Sequence, residues 1–600
     1  MDAGDIDLEQ LQTAQPDDTE SMTVDQREDD PPRDRTGRTP AGGAASSRVF
    51  SLRLSGPGVF VAFFFLALSL SPSLLPRASL YQGVVTGVAM MMGYGLGVLG
   101  QWAWNYVELP KPRAGSAAQR TIFWIAVVLV GSAAVASGWR HVGWQNDVRD
   151  IFGMDRISPT VWPLIVVVAG AVAALVLIIS RSLRKLFHFL ARWLNKIVPH
   201  RVSLVLGGVV LVSLLTLLVN GVLVNTFFSV ANQAFSARDT ATNPGITQPQ
   251  GQEKSGSPDS LVEWDTLGRQ GRAFVASGPT VADLNAFHGG GAAEPIRVYA
   301  GLKSADTLQE RADLVLEELK RTGAFEREVL VVATTTGTGF LEPNAVNTLE
   351  YIYNGNSAIA GVQYSYLPSW ISLLADQEIT KETSRVVFAT IHDYWASLPE
   401  SARPEIYLYG LSLGSFGVES ILTSINIINE PVNGAFMTGP PFVNPLWNEI
   451  TDDRDPGSPA WLPIYQDGRT VRFTSFENAL DTPTGEWDDT KIVYLQHSSD
   501  PVSFFSPDLA FTKPDWLRDG QRGPDISERM DYFPLVTMWQ VAIDLPAAGG
   551  VPAGHGHLYT RAENLDAWVA LTEPSGWSAS DTEELRELLA GRDLEDALAE

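Results

Sequence analysis

A serine between two glycines in the C-terminal half has the spacing of a catalytic nucleophile. The string GLSLG (410–414) follows a strand-like run, 405–410, and opens onto a helix-like stretch. In that setting the serine sits at a tight strand-to-helix turn, and the glycines let neighbouring backbone pass without a Cβ clash. The alternative is a glycine-rich turn that merely begins a helix. We predict that Ser412 is a nucleophile and that the N–H of Leu413 binds a developing oxyanion.

A serine nucleophile needs a base, and the base needs an acid that orients it. In a strand–turn–helix site of this kind, the acid and then the histidine follow the serine along the chain. The histidines after Ser412 are His497, His555 and His557. Asp500 lies in the loop after the strand-like run that ends at His497, which is where the acid belongs. The string PAGHGH (552–557) offers two bases; we favour His555 and keep His557 as the alternative.

The second oxyanion donor is expected in the loop after an earlier strand. Thr336 and Gly337 follow the apolar run 329–335 and fit that position. The string HGGG (288–291) looks similar to an esterase oxyanion motif, but it follows a helix-like stretch, and we predict an ordinary loop there. Cysteine is absent, which excludes thiolate metal sites, disulfides and a cysteine nucleophile. The predicted chemistry requires no metal and no cofactor.

Strand-like and helix-like stretches alternate around these residues, which favours a mostly parallel sheet with helices on both faces. The predicted strands are 296–302, 329–335, 359–366, 405–410, 434–439 and 491–497. The predicted helices between them are 307–322, 381–397 and 414–429.

The N-terminal half contains five apolar stretches long enough to cross a bilayer, which requires about 20 residues in a helix. They are 57–75, 80–104, 121–139, 161–180 and 202–228. Glycines recur through the second of them and predict close helix packing at Gly83, Gly87, Gly93, Gly97 and Gly100. The sequence therefore predicts a transmembrane helical domain of about five spans.

Lysine and arginine are concentrated near 38–53, 111–120 and 181–201, and such residues favour the cytoplasmic side. With five spans, this distribution places the N-terminus inside and the C-terminal half outside the cytoplasm, at the cell membrane. The segment 181–201 also combines apolar residues at helical spacing with basic ones. We predict a separate amphipathic helix there, lying on the anionic leaflet.

Composition divides the chain into five parts. We predict a disordered acidic tail (1–55), the transmembrane domain (56–230), a linker (231–260), a catalytic domain (261–572) and an acidic helical tail (573–600). The net charge of −26 argues against a nucleic-acid partner, because phosphate binding needs clustered Lys and Arg.

Three strings resemble those of a known family. LSLSPSLLPR (68–77), TGTGFLEP (336–343) and YSYLPSW (364–370) are similar to motifs of bacterial, mainly actinobacterial, membrane α/β-hydrolases. That family pairs an N-terminal multi-span domain with a C-terminal α/β-hydrolase catalytic domain. The resemblance implies hydrolase activity, a cell-membrane location and Ser412 as the nucleophile. It implies no particular substrate.

These observations together predict a membrane-tethered serine hydrolase that acts on carboxyl or acyl esters of lipids or of the cell envelope. Its partners are the bilayer and the ester substrate, and the aromatic strings 364–370 and 439–447 are available to line an acyl pocket. An acyltransferase would use the same acyl-enzyme. A membrane scaffold with a non-catalytic hydrolase-like domain is the alternative of a different class.

Overall fold

A computed structural model describes residues 54–599 with short gaps at 111–115, 219–223, 376, 425–426 and 428–429. The predicted acidic tail lies almost wholly outside the described residues, and so does part of the fifth apolar stretch.

The described N-terminal part consists of helices. They are α1 (Gly56–Ser69), α2 (Ser79–Tyr106), α3 (Ala117–Ile151), α4 (Trp162–Leu194), α5 (His200–Thr216) and α6 (Asn225–Asp239). Three of the described helices are long and apolar enough to cross a membrane: Ser79–Tyr106, Arg120–Ile151 and Pro159–Leu194. α1 and α5 are apolar but shorter, with 14 and 17 residues. The structure therefore supports three candidate spans where the sequence predicts five.

Two of the predicted helix boundaries are wrong. The first apolar stretch is not helical to residue 75, because α1 ends at Ser69 and the next residues include Pro72 and Pro76, which have no N–H to donate. The amphipathic segment 181–201 is not a separate helix, since α4 continues without a break to Leu194. Pro199, five residues further on, precedes the next helix.

The glycines of α2 provide the close contacts between helices that the sequence predicts. A Cβ at Gly83 would lie 2.6 Å from the Cβ of Val168 on α4, and one at Gly93 would lie 2.5 Å from the carbonyl oxygen of Val61 on α1. Gly87 and Gly97 have comparable neighbours, whereas Gly100 has none within 4 Å. One face of α2 thus packs on α4 and another on α1.

The C-terminal part is built around one sheet, and every pairing of the described strands is parallel. The strands are β1 (Ile296–Ala300), β2 (Val329–Thr334), β3 (Ser357–Val362), β4 (Glu405–Leu411), β5 (Gly434–Thr438), β6 (Val471–Thr474) and β7 (Lys491–Leu495). Their spatial order is β1-β3-β2-β4-β5-β7-β6. The predicted parallel sheet is confirmed. The sequence analysis missed β6, which has only four residues.

Helices cover the sheet and connect its strands. They are α7 (Gly268–Ala276), α8 (Val281–His288), α9 (Leu308–Arg321), α10 (Pro343–Ile352), α11 (Ser369–Ala375), α12 (Gln377–Ser397), α13 (Leu413–Leu422), α14 (Pro445–Asp452), α15 (Pro501–Phe504), α16 (Val536–Asp544), α17 (Arg561–Thr572) and α18 (Ala579–Ala599). The strands are almost wholly buried, as expected when both faces are covered.

The two segments that flank the predicted catalytic domain are bound to it. The C-terminal part of α6 lies in the predicted linker. Beyond it, Ser255 donates its N–H to the carbonyl oxygen of Arg297 of β1, and Leu261 donates its N–H to the buried carboxylate of Glu318. In α18, Leu585 and Leu589 are buried in the core. Both segments therefore belong to the folded domain.

The α1–α2 contact can be tested with two neighbouring glycines. We expect Gly93→Val to destabilise the chain by about 1–3 kcal/mol, because the new side chain would overlap the backbone of α1. Gly95→Val is the matched control, since a Cβ there meets nothing within 4 Å. The measurement is the thermal unfolding midpoint in detergent. Equal midpoints for the two variants would contradict the described packing.

Candidate active site

Ser412 occupies a strained turn between β4 and α13. Its φ is 54° and its ψ is −126°, a conformation that costs free energy in any residue except glycine. Its N–H donates to the carbonyl of Thr438 at the end of β5, over 2.8 Å. Strain of this kind at a strand-to-helix turn is typical of a nucleophile elbow.

The two flanking glycines are required by close backbone contacts. A Cβ at Gly410 would lie 2.4 Å from the carbonyl of Gly414, and a Cβ at Gly414 would lie 2.4 Å from the carbonyl oxygen of Thr334. No side chain fits at either position. Leu413 is the first residue of α13, where a backbone N–H has no partner within the helix. Its amide is therefore available to an acceptor outside the helix.

Asp500 and His557 form a hydrogen-bonded pair beside this turn. The carboxylate of Asp500 is wholly buried after β7, and its Oδ2 lies 2.6 Å from Nδ1 of His557. Because a carboxylate only accepts, Nδ1 carries the proton and Nε2 is left as the basic nitrogen. Tyr559 donates its hydroxyl to the same Oδ2 over 2.8 Å, and Val502 donates its N–H to Oδ1.

The imidazole of His557 lies next to the strand end that binds Ser412. A Cβ at Gly439 would be 2.5 Å from Cε1 of His557, and Gly439 directly follows Thr438, which accepts the N–H of Ser412. Nε2 of His557 is buried and makes no hydrogen bond to any residue that the structure describes. The end of β5 thus contacts both the predicted nucleophile and the imidazole.

His555, the base that the sequence analysis favours, lies beside a different carboxylate. Its Nδ1 is 3.6 Å from Oδ2 of Asp525, and its ring stacks on Phe152 with 4.4 Å between the ring centroids. Gly556, with a φ of +55°, turns the chain between the two histidines. The preference for His555 does not agree with this geometry, and His557 is the histidine that the structure pairs with Asp500.

Buried side chains hold the loop that carries His557. Ser499 accepts the N–H of Gly556 over 2.9 Å, and His557 donates its own N–H to the carbonyl of Ala548. His497 lies below the loop, with Nδ1 3.0 Å from the carbonyl oxygen of Gly556 and Nε2 2.9 Å from Oε1 of Glu563. Both ring nitrogens face acceptors, which favours a protonated imidazole.

The pKa values of this buried pair move in opposite directions. Burial alone would lower the pKa of His497, but the charge and hydrogen bond of Glu563 raise it on balance above its usual 6.5. Burial alone would raise the pKa of Glu563, but the charge and hydrogen bond of His497 bring it below 4.5. The pair is therefore an ion pair inside the domain. Sequence reasoning missed Glu563, whose only visible signal is its place in a helix-starting capping box with Thr560.

The predicted second oxyanion loop lies beside the elbow, since Gly414 contacts Thr334 at the start of that loop. Thr336 is unsuitable as a donor, because its N–H closes a turn to the carbonyl of Phe340 over 3.0 Å. The N–H of Gly337 meets the hydroxyl of Ser369 at 3.3 Å. Gly337 could bind a substrate oxygen only if that oxygen displaced the hydroxyl. In the HGGG string, His288 is the last residue of α8, and the glycines that follow it form a loop, as expected.

Apolar side chains cluster next to the elbow. Leu413 packs with Tyr364, Leu373 and Phe416, and partly buried Phe442 and Val443 adjoin them. Trp447, which the sequence analysis assigns to an acyl pocket, instead lies in the main core, where its Nε1 donates to Gln496. A buried apolar cluster therefore begins one residue from Ser412.

Comparison with known families accounts for most of the chain. Residues 296–585 match the model of an alpha/beta-hydrolase family, and residues 70–279 match the model of the alpha/beta-hydrolase family N-terminus. The chain belongs to this two-part alpha/beta-hydrolase family. It matches none of the curated proteins and none of the solved structures with which it was compared. Membership supports a hydrolase-type enzyme and leaves the bond that it cleaves to be inferred.

The ion pair of His497 and Glu563, under the loop that carries His557, predicts a pH dependence of stability. The raised pKa of His497 stabilises the fold fully below pH 6.5, and this contribution is lost as pH rises through the folded-state pKa. The lowered pKa of Glu563 stabilises the fold above pH 4.5, and this contribution is lost as pH falls through its folded-state pKa. We expect His497→Gln to lower the free energy of unfolding by about 3–5 kcal/mol between pH 4.5 and pH 6.5, and by less at higher pH.

The measurement is chemical denaturation of the wild type and the variant from pH 4.5 to 9. His392→Gln is the control, because it also removes a buried imidazole, one whose Nε2 meets the backbone carbonyl of Glu430 at 2.9 Å. If the difference in unfolding free energy between the wild type and His497→Gln stays constant over this pH range, the ion pair is contradicted.

Proposed function

We propose that this alpha/beta-hydrolase is a membrane-tethered serine hydrolase that cleaves carboxyl esters of lipids or of the cell envelope. The observation that carries the proposal is the strained Ser412 turn, with the hydrogen-bonded pair of His557 and Asp500 at the neighbouring strand end. Nucleophile, acid and base follow one another along the chain in the order typical of this fold.

The proposed mechanism uses only side chains and amides of the chain. The hydroxyl oxygen of Ser412 adds to the ester carbonyl carbon while its proton passes to Nε2 of His557. The N–H of Leu413 stabilises the oxyanion, and Asp500 stabilises the imidazolium. Collapse releases the alcohol, which takes the proton from His557. Water, deprotonated by the same nitrogen, then attacks the acyl-enzyme. The bond from the acyl carbon to the Ser412 oxygen breaks, the acid leaves, and Ser412 regains its proton from His557.

The substrate class follows from what adjoins the site. The apolar cluster around Leu413 suits an acyl chain, because burying apolar surface contributes roughly 25 cal/mol per Å². The N-terminal helices would hold this site beside a bilayer, where acyl chains are abundant. Acyl transfer requires the same acyl-enzyme, and only exclusion of water separates it from hydrolysis.

The contacts between the two parts support an odd number of membrane crossings, with α1 and α5 as spans in addition to the three long helices. The catalytic part meets the α1–α2 connection through Arg77 and Asp544, and the end of α3 through Asp147 and Arg529. It is joined to α5 through α6. With five crossings, the α1–α2 connection, the α3–α4 connection and the C-terminal end of α5 would all lie on the same side of the membrane. The basic residues around 181–201 then lie on the opposite, cytoplasmic side.

The nucleophile and base can be tested with a fluorophosphonate probe on membranes. We expect Ser412→Ala to abolish labelling, and His557→Ala to slow acylation by an activated ester about 10⁴-fold, because members of a triad act as one unit. His555→Ala is the matched control, two residues away in the same loop, and should slow acylation far less.

Each alternative has its own outcome in this experiment. Labelling that survives Ser412→Ala would end the serine-enzyme proposal. An inactive His555→Ala variant together with an active His557→Ala variant would assign the role of base to His555. Wild-type protein that is never labelled would favour the non-catalytic scaffold. Product carrying the acyl group on an added alcohol would identify a transferase.

The topology can be tested because the chain has no cysteine of its own. We expect single cysteines at the exposed positions Ser158 and Thr512 to react with a membrane-impermeant maleimide on intact cells, and one at Asn195 to react only after permeabilisation. The reverse pattern would place the catalytic part in the cytoplasm. Equal reaction at Ser158 and Asn195 would contradict the proposed crossing by α4.

A further inference from the structure

The connection between α1 and α2 is buried over residues 70–77 although it has no regular structure. We call it the 70–77 segment. Leu74 and Leu75 are 0% and 1% exposed and share one core cluster with Ala548 and Val551 of the catalytic part. A membrane protein usually leaves such a short connection in water. Here it is part of the interior of the enzyme.

Polar contacts fix the segment at both ends. The guanidinium Nε of Arg77 lies 3.1 Å from Oδ1 of Asp544, and both side chains are 1% exposed. Gln540, one turn earlier on α16, donates its amide to the carbonyl of Ser71 over 3.1 Å. A buried ion pair is strongly destabilising when one partner is missing. The segment therefore has one position relative to α16.

The segment contacts the loop that carries the base. A Cβ at Gly556 would lie 3.3 Å from Cδ2 of Leu75, and Gly556 directly precedes His557. From the catalytic part, Ser499 and His497 bind the backbone of the same glycine. Gly556 is thus held by the catalytic part through hydrogen bonds and by the N-terminal part through a packed side chain.

We propose that Leu75 is a positioning residue for His557, and that the N-terminal helical part thereby completes the active site. This rests on the proposed function, in which His557 is the base. Leu75 touches no reacting atom. Its side chain limits how far Gly556 can move away from β7, and so keeps the imidazole on Asp500 and beside Ser412. Arg77 and Asp544 contribute indirectly, because their ion pair fixes the segment that carries Leu75.

The test is Leu75→Ala in the full chain in detergent or proteoliposomes. We expect kcat for an activated ester and the rate of fluorophosphonate labelling to fall roughly 10- to 100-fold, since small misplacements of catalytic groups have effects of that size. KM should change little, because the apolar cluster around Leu413, which is proposed to bind the acyl chain, does not include Leu75. Leu75→Met, which conserves volume, should restore most of the rate.

Loss of fold is separated from loss of positioning by two further variants. Ile165→Ala removes a comparable buried side chain from α4, where that helix packs on α2, and should leave kcat unchanged. Leu75→Val is a milder change that should keep the wild-type unfolding midpoint and still lower kcat.

Equal losses of kcat for Leu75→Ala and Ile165→Ala would overturn the proposal, as would wild-type kcat in both Leu75→Ala and Leu75→Val. A rise in KM with unchanged kcat would assign Leu75 to substrate binding instead. If the wild type itself is not labelled at Ser412, it is the proposed function that fails.

Discussion

The hydrogen bond from Nδ1 of His557 to the buried carboxylate of Asp500 is the interaction on which the candidate site depends. It fixes the tautomer of the imidazole and directs the other nitrogen away from the acid. The candidate acid lies in the short turn between β7 and α15, but the candidate base belongs to an irregular loop. The surrounding structure must therefore hold the loop, and most of the buried polar groups near the site bind it or its neighbours.

Several of these buried groups carry charge, and each buried charge must be compensated. Asp525 accepts hydrogen bonds from Ser498 and Ser499. Burial would raise the pKa of this carboxyl, but the neighbouring His555 and the hydrogen bonds from the two serines lower it on balance. Glu563 is neutralised by His497 and also caps α17. Because these buried donors and acceptors are satisfied together, a shift of the loop that carries His557 would leave some of them unpaired.

The sequence predicts the parts of this molecule that depend on local pattern. The elbow, the parallel sheet and the close packing of α2 follow from glycine spacing and apolar periodicity, which act over a few residues. The choice between His555 and His557 could not be made in this way. It depends on the turn at Gly556 and on contacts with Asp525 and Phe152, which are remote in sequence. The pattern does not show the end of α1, because apolar residues continue past Pro72 to residue 75, beyond the last helical residue.

The ion pair of Arg77 and Asp544 joins residues 467 positions apart. During synthesis the helices of the N-terminal part are made first, and α16 emerges only near the end of the chain. Until then Arg77 has no carboxylate to meet and must remain hydrated, with Leu74 and Leu75 exposed beside it. Contacts of such long sequence separation form late and slowly. Final assembly of the enzyme therefore awaits nearly the whole chain, and a truncated product would retain an unfinished apolar surface at its membrane helices.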